Sequence, residues 1–208
     1  MTARYEIRLA EAADLLDIHG LIGEAAGWLQ GTKNTNQWAR PWPNRQARDV
    51  RLREAVEAGL TWMLRIEGRL AGTVTIREQG NSELWEVAEL LDPAVYVSRL
   101  IIRRWCAGRK IGAALLDWAG LQGIHRWQAN WIRVDVWTTN LELHDYYQNH
   151  GFTYLRTRPY DDPWEYPSAA LFQKPTAAID MTAAMRFEKV PCNSDEAREM
   201  LSAVPTTL

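Results

Sequence analysis

The chain has 208 residues, 47% hydrophobic and 24% charged, with a formal net charge of -2. This length supports one sizeable core and does not require two domains. The nearly neutral charge gives no electrostatic reason to expect nucleic acid or an anionic membrane as a partner. No apolar run is long enough to span a bilayer, and residues 1–6 lack secretory features, so we expect a cytoplasmic protein. Cys106 and Cys192 lack metal-ligand spacing, and no metal site is expected.

The first part of the chain predicts a strand, two helices and a hairpin. Alternation of apolar residues indicates strands, and apolar residues near helical spacing indicate helices. Asn44 is a residue type that caps helices, and a tight turn at 67–69 predicts the hairpin. The predicted elements are a strand at 5–9, a helix at 11–29, a helix from the Asn44 cap to about 58, and strands at 60–66 and 70–77.

The second part alternates strands with helices and ends in two strands. Asn140 can cap its last helix, and Gly151 is placed to end it. The predicted elements are a strand at 95–102, a helix at 111–125, a strand at 131–137, a helix at 140–149, and strands at 152–156 and 169–173. This order predicts a mixed α/β sandwich built on one sheet. Residues 1–175 form the predicted domain, and 176–208 form an appendage, docked or partly disordered, with a short helix at 195–204.

The turn between the strand at 95–102 and the helix at 111–125 is basic and contains glycine. A strand that enters a helix through such a turn presents unpaired backbone N–H groups at the positive end of the helix dipole, which suits phosphate. Arg103, Arg104, Arg109 and Lys110 add positive charge at the same point. The turn is therefore predicted to hold a pyrophosphate.

Two sequence blocks together resemble the GNAT superfamily of acyl-CoA-dependent N-acetyltransferases. The first is the turn at 103–112, and the second is the segment from Asn140 through Tyr147 to Gly151 and Phe152. Either block alone is a weak signal, but both occur in order with a strand between them. The resemblance covers roughly 5–174 and implies a mostly antiparallel sheet of about seven strands, flanked by about four helices.

The family turn has the pattern Arg/Gln-x-x-Gly-x-Gly/Ala, and this chain departs from it twice. Ala107 stands at the first position and Lys110 at the internal glycine, whereas Gly112 is retained. If the backbone at Lys110 requires positive φ, a side chain there costs about 1 kcal/mol. Pairing of the lysine with phosphate would offset that cost.

The resemblance also implies which residues bind acetyl-CoA and assist the reaction. The main chain around Leu100 and Ile102 would pair with the pantetheine arm, and Asn140 would contact it or shape the helix entry. Tyr147 occupies the position of the family's general acid, and a phenol with a pKa of about 10 is nearly matched to a thiol with a pKa of about 8.5. The alternative for Tyr147 is an aromatic ring packed between helix and sheet, and Tyr146 is expected to be core. The implied cofactor-binding residues are Leu100, Ile101, Ile102, Ala107, Gly108, Arg109, Lys110, Ile111, Gly112, Ala113, Asn140 and Tyr147.

The general base cannot be assigned from the residues. Carboxylates precede the strand at 95–102, where family members often recruit one through water; they are Glu86, Glu89 and Asp92. Asp135 lies within a strand and is costly to bury unpaired, so it either forms a salt bridge with Arg133 or Arg99 or faces the substrate. His144 and His150 are expected to be solvated or structural.

The acceptor pocket in this family lies between the loop joining the first two helices and the loop joining the last two strands. Aromatic faces combined with carboxylates suit a cationic amine. The alternative is that the tryptophans fill the core and the acidic residues form a solvated turn. The aromatic and acidic residues near these two loops are Trp28, Trp38 and Trp42, then Tyr160, Asp161, Asp162, Trp164, Glu165 and Tyr166.

The predicted function is therefore acetyl transfer from acetyl-CoA to a primary amine of a small, cationic molecule. Two alternatives stay open: acetylation of a protein or a charged tRNA, and acyl-CoA binding without catalysis. The acidic balance disfavours a tRNA substrate, because no broad basic stripe appears outside the turn. The resemblance and the many aromatic residues also make a homodimer plausible.

Overall fold

The computed structural model describes residues 3–158 and 167–188, which fold around one seven-stranded sheet. The strand order is β1-β2-β3-β4-β5-β7-β6. Among these neighbours only β4 and β5 are parallel, so the described sheet is mostly antiparallel as predicted. The strands are β1 (Tyr5–Leu9), β2 (Thr61–Ile66), β3 (Arg69–Arg77), β4 (Ala94–Ile102), β5 (Trp131–Val136), β6 (Thr153–Thr157) and β7 (Ala170–Pro175).

The helices begin and end where the local sequence supplies caps. Asn44 accepts a hydrogen bond from the amide of Ala47 at 2.9 Å, and Asn140 accepts one from the amide of Leu143 at 3.1 Å, which confirms both predicted N-caps. Gly151 follows the last long helix with φ of 83°. The helices are α1 (Leu15–Thr32), α2 (Arg45–Glu57), α3 (Val87–Leu91), α4 (Ile111–Trp127), α5 (Leu141–Asn149) and α6 (Met181–Ala184).

Helix α3 is an addition to the predicted element order. It has five residues and is too short for apolar periodicity to reveal it. Its N-terminus is stabilised by a reciprocal capping box between Glu86 and Glu89. Across the described ranges, no helix combines the length and the apolar character needed to cross a membrane.

Helices cover both faces of the sheet and pack over its two largest core clusters. On one face α4 packs through Leu115, Trp118 and their neighbours against strand residues such as Leu64. On the other face α1 and α2 pack against Met63, which directly precedes Leu64 in the same strand. Successive strand residues point to opposite faces, so alternation along β2 places one side chain in each core.

The described part of the predicted appendage packs against α4. Ala184 and Phe187 are buried in the same core as Trp118, whose indole donates to the carboxylate of Glu188 at 2.9 Å. Part of the segment 176–188 therefore contributes side chains to the same core as α4. The short helix expected at 195–204 lies outside the described residues.

Candidate active site

Two strands separate at the centre of the sheet and open a cleft. In the part of the sheet that the structure describes, β4 pairs with β5 only through Ala94–Tyr96. Farther along β4, Thr73 pairs with Ile101 and Thr75 with Ser98, so β4 carries one extra residue opposite β3. Arg99 lies in this bulge with φ of 49°. A bulge interrupts the ladder and redirects backbone groups, which here occurs directly beside the cleft.

A cavity of about 290 Å³ adjoins this end of β4. Its walls come from distant parts of the chain: the end of β4 and the following turn, one face of α1, the loop after α1, and the first turns of α5. The lining residues are Leu100–Arg104, then Leu21, Glu24, Ala25, Trp28 and Leu29, then Lys33, Gln37 and Trp38, then Asn140, Glu142, Leu143 and Tyr146.

Of the residues predicted to bind cofactor or substrate, the cavity brings together six. They are Leu100, Ile101, Ile102, Asn140, Trp28 and Trp38. The α1 wall includes further residues that the sequence analysis missed. Leu21 and Ala25 were missed, and with the predicted Trp28 they occupy positions i, i+4 and i+7, so a shared helix face was the signal that could have found them.

The turn after β4 has the backbone geometry of an anion site. Gly108 has φ of 78° and Lys110 has φ of 56°, so the family's internal glycine position does adopt a left-handed conformation here. Lys110 is also the N-cap residue of α4 and provides no side-chain cap. The amides of Ile111, Gly112 and Ala113 therefore start α4 without intrahelical acceptors and are available to a phosphate.

Tyr146 packs against the core, as expected, and also connects this turn to the cavity. Its ring lines the cavity, and its hydroxyl lies 2.8 Å from where a Cβ on Gly112 would be. Burial and the nearby Asp117 carboxylate raise the pKa of Tyr146 to about 12. The Asp117 carboxylate accepts from Lys174 Nζ at 2.6 Å, which keeps a buried charge paired beneath α5.

Tyr147 lies on the core side of α5. It is 8% exposed, and its ring centroid is 5.2 Å from that of Phe152 and 6.0 Å from that of Phe172. It is not among the residues that line the cavity. Burial, with smaller contributions from Tyr146 and Asp135, raises the pKa of Tyr147, so its phenol stays protonated at neutral pH.

The loop after α1 is tied to the start of α5 by side-chain hydrogen bonds. Asn140 donates through Nδ2 to Gln37 Oε1 at 2.5 Å, and both residues are buried. The carboxamide oxygen of Asn36 accepts from Trp137 at 2.7 Å and from Thr139 at 2.9 Å. Asn140 thus acts in this structure as a helix cap and as an anchor for the neighbouring loop.

Other predicted acceptor residues lie elsewhere. Trp42 is not in the cavity wall, and the Arg51 guanidinium lies 5.6 Å from its ring centroid. Asp135 is likewise not in the wall, although it lies close enough to Tyr147 to raise the pKa of that phenol. The remaining predicted acceptor residues lie outside the described residues: Tyr160, Asp161, Asp162, Trp164, Glu165 and Tyr166.

The carboxylates before β4 are engaged in structural contacts. Glu89 accepts two hydrogen bonds from Arg156, at 2.8 and 2.6 Å, and this pairing lowers the pKa of the Glu89 carboxyl. Asp92 accepts from Asn130 at 2.9 Å and lies 3.9 Å from the buried guanidinium of Arg133. Neither Glu86, Glu89 nor Asp92 lines the cavity.

The two histidines near the site contact backbone carbonyls. His144 Nε2 lies 3.0 Å from the carbonyl of Trp137, and His150 Nδ1 lies 2.7 Å from the carbonyl of Tyr146. Within residues 3–158 and 167–188, no group of three or more His, Cys, Asp or Glu side chains is arranged to hold a metal ion.

A parallel strand pair that splits beside a bulge exposes backbone groups to an extended ligand, and the uncapped helix N-terminus that follows suits an anion. The sequence matches the Acetyltransferase (GNAT) family over residues 24–152. The chain therefore belongs to the GNAT acetyltransferase family and is an acyltransferase.

Individual relatives agree with this assignment. The uncharacterized N-acetyltransferase YesJ of Bacillus subtilis (strain 168) is 27% identical over 145 residues, which cover 68% of this chain and 78% of that protein. A GNAT-family acetyltransferase structure from Listeria monocytogenes 4b F2365 is 25% identical with a TM-score of 0.65, covering 84% of this chain and 98% of that one. The PaiA N-acetyltransferase of Thermoplasma acidophilum, solved with coenzyme A, shares the fold at 17% identity, with a TM-score of 0.59 over 84% of this chain and 99% of that one.

Proposed function

We propose that this acyltransferase moves an acetyl group from acetyl-CoA to the primary amine of a small molecule that is cationic in solution. One observation carries the proposal: the cavity of about 290 Å³ joins the bulged end of β4 to a wall of α1 side chains. A thioester held along β4 would thereby face an acceptor held against α1. Positioning of the two reactants in one cavity supplies much of the rate enhancement in such a reaction.

The turn and the end of β4 fit coenzyme A. The amides of Ile111 to Ala113 would hold the pyrophosphate, with Arg109 and Lys110 adding positive charge. Backbone groups of Leu100 to Ile102 would hold the pantetheine arm and, beside the bulge, polarise the thioester carbonyl. When bound, acetyl-CoA supplies the acyl group and the thiolate leaving group.

Tyr147 is the proposed proton donor to the leaving sulfur. A phenol is protonated at neutral pH, which is the form that a donor requires, and burial raises the pKa of Tyr147 further above that of the leaving thiol. Its ring contacts with Phe152 and Phe172 hold the phenol in place. Since Tyr147 does not line the cavity, donation requires its hydroxyl to reach the reacting sulfur once the cofactor is bound.

The acceptor amine would be held by the α1 side of the cavity. Trp38 offers an aromatic face, and Glu24 and Glu142 offer carboxylates. These groups suit an ammonium, which must lose a proton before its nitrogen attacks the thioester.

The deciding experiment is to incubate the purified protein with acetyl-CoA and a panel of small amines and peptides, and to follow thiol release. Turnover of a small amine, with the acetylated product seen by mass spectrometry, supports the proposal. Acetyl-CoA binding without turnover of any amine or peptide would instead favour a non-catalytic binder. Turnover of peptides alone would place the acceptor on proteins.

The cytoplasmic location and the homodimer expected from the sequence stay predictions. Light scattering of the full chain during size-exclusion chromatography would test the dimer.

A further inference from the structure

Two cations of the protein lie near the ring of Trp28, which belongs to the α1 wall of the cavity. The guanidinium carbon of Arg104 lies 4.0 Å from the Trp28 ring centroid, and Lys33 Nζ lies 5.4 Å from it. These cations belong to the protein, so Trp28 is a poor place for the ammonium of an acceptor.

The other charges around the cavity are paired, which leaves Arg104 in excess. Glu24 lies 3.3 Å from Arg103 and also accepts from the backbone amide of Arg104 at 3.3 Å. Lys33 pairs with Glu142. Within the described ranges, no carboxylate oxygen lies within 4.0 Å of the Arg104 guanidinium.

We propose that Arg104, stacked on Trp28, binds a carboxylate of the acceptor, so that the substrate is an amino acid or another amine that carries a carboxylate. This inference rests on the proposed function. Arginine presents its donors in a planar fork that matches a carboxylate, and stacking on an aromatic ring preorganises that fork. The ammonium of the same substrate would lie toward the ring of Trp38, so the cavity would hold the two ends of a zwitterion at different residues.

The contacts of Arg104 assign it to the acceptor rather than to the cofactor. Its side chain packs on Trp28 and its amide is held by Glu24, and both of these residues belong to α1. The phosphate-binding geometry belongs instead to the turn that begins α4, where Gly108 and Lys110 have positive φ.

Matched substrate pairs that differ only in the carboxylate test the proposal directly. Suitable pairs are tyrosine and tyramine, arginine and agmatine, and lysine and cadaverine. We expect the wild-type protein to favour the amino acid in its best pair by about tenfold or more in kcat/KM. Arg104→Gln should reduce that preference to about onefold, while kcat/KM for the decarboxylated amine and KM for acetyl-CoA stay within about twofold.

Arg45→Gln is the matched control, because it makes the same change in charge at an α2 side chain that is 83% exposed and outside this cavity. It should leave the preference unchanged. Trp28→Leu should lower the preference by a fold-change that is not additive with that of Arg104→Gln, because the two side chains act as one unit.

Three results would overturn the inference. One is a wild-type protein that favours the decarboxylated amines or does not discriminate. Another is an Arg104→Gln variant whose main defect is a raised KM for acetyl-CoA, which would make Arg104 a cofactor residue. If no amine is acetylated, the proposed function itself fails. The inference is then tested by calorimetric titration of the coenzyme A-loaded protein with the same pairs. Equal affinity for both members of a pair is the third result that would overturn it.

Discussion

The cofactor turn and the acceptor wall are neighbours, but they are built in different ways. The turn at 107–113, proposed to hold the cofactor, offers mainly backbone groups: two residues with positive φ precede a helix that starts without a side-chain cap. The cavity wall proposed to hold the acceptor offers side chains such as Glu24, Trp28 and Gln37, which meet residues far away in sequence. A backbone site is specified by local sequence, whereas a side-chain site exists only after folding.

This difference predicts where variation is tolerated. A residue in the turn can change, as at Lys110, provided that its backbone conformation is kept. A substitution in the cavity wall is expected to change which ligand is selected. The four predictions below test whether the two regions can be separated, from the largest expected effect to the smallest.

The largest effect on kcat should come from Tyr147, which lies on the core side of α5. Tyr147→Phe keeps the ring contacts and removes the proposed proton donor, so kcat should fall by about 100-fold with little loss of stability. Tyr146→Phe should lower kcat much less. Steady-state rates with saturating acetyl-CoA and amine provide the measurement. A greater loss of kcat in Tyr146→Phe would move the acid to the tyrosine that lines the cavity.

The second prediction tests whether one substitution can affect both the cofactor turn and the cavity wall. Gln37 lies in the loop of the acceptor wall, but its side chain accepts a hydrogen bond from Asn140, which caps α5. Gln37→Ala leaves a buried amide without its partner, at a cost of about 1–3 kcal/mol in the free energy of unfolding. KM should therefore rise for both substrates, by about tenfold or less, in steady-state assays paired with urea denaturation.

Gln37→Glu is the control for that change, since its carboxylate can still accept from Asn140. It should retain most of the affinity for both substrates. A raised KM for the amine alone in Gln37→Ala would show that the two regions are independent.

The third prediction concerns the turn. Lys110→Gly relieves a left-handed side-chain conformation and should stabilise the protein by up to about 1 kcal/mol, while the lost charge raises KM for acetyl-CoA a few-fold. Gln128→Gly is the matched control, because Gln128 adopts φ of 53° at the other end of α4. It should give a similar gain in urea denaturation with no change in KM. Equal KM values in both variants would remove Lys110 from the cofactor site.

The smallest effect should come from an ion pair that belongs to neither region. Arg156 lowers the pKa of Glu89, so this pair stabilises the fold above the ordinary carboxyl pKa of about 4.3 and loses its contribution as pH falls through the lowered value. Glu89→Gln should be less stable at pH 7 and should lose less stability between pH 7 and acid, in urea denaturation at a series of pH values. Both KM values should be unchanged. A change in either would mean that α3 supports the active site.

Much of the fold could be predicted because the signals are local. Asn44 and Asn140 mark helix starts because each side-chain oxygen accepts a hydrogen bond from the backbone amide three residues ahead. Alternating residues and tight turns predicted all seven strands to within a few residues. Helix α3 escaped prediction because five residues contain too little periodicity.

The orientation of α5 shows why the site was harder to predict. Tyr146 and Tyr147 are adjacent in sequence, and consecutive helix residues point about 100° apart. Which of them faces the cavity depends on how α5 packs against Phe152 and Phe172. That packing is a property of the assembled core and has no local signature.

By itself, the sequence determined the class of enzyme, the position of the turn proposed to bind phosphate and most of the order of its elements. These follow from backbone preferences that act within a few residues: caps, glycines, and the start of a helix. The tertiary structure alone decided that Arg104 stacks on Trp28 and that Gln37 binds Asn140, 103 positions apart. Such contacts arise when burial of apolar side chains brings α1, β4 and α5 together, and they shape the cavity proposed to hold the acceptor.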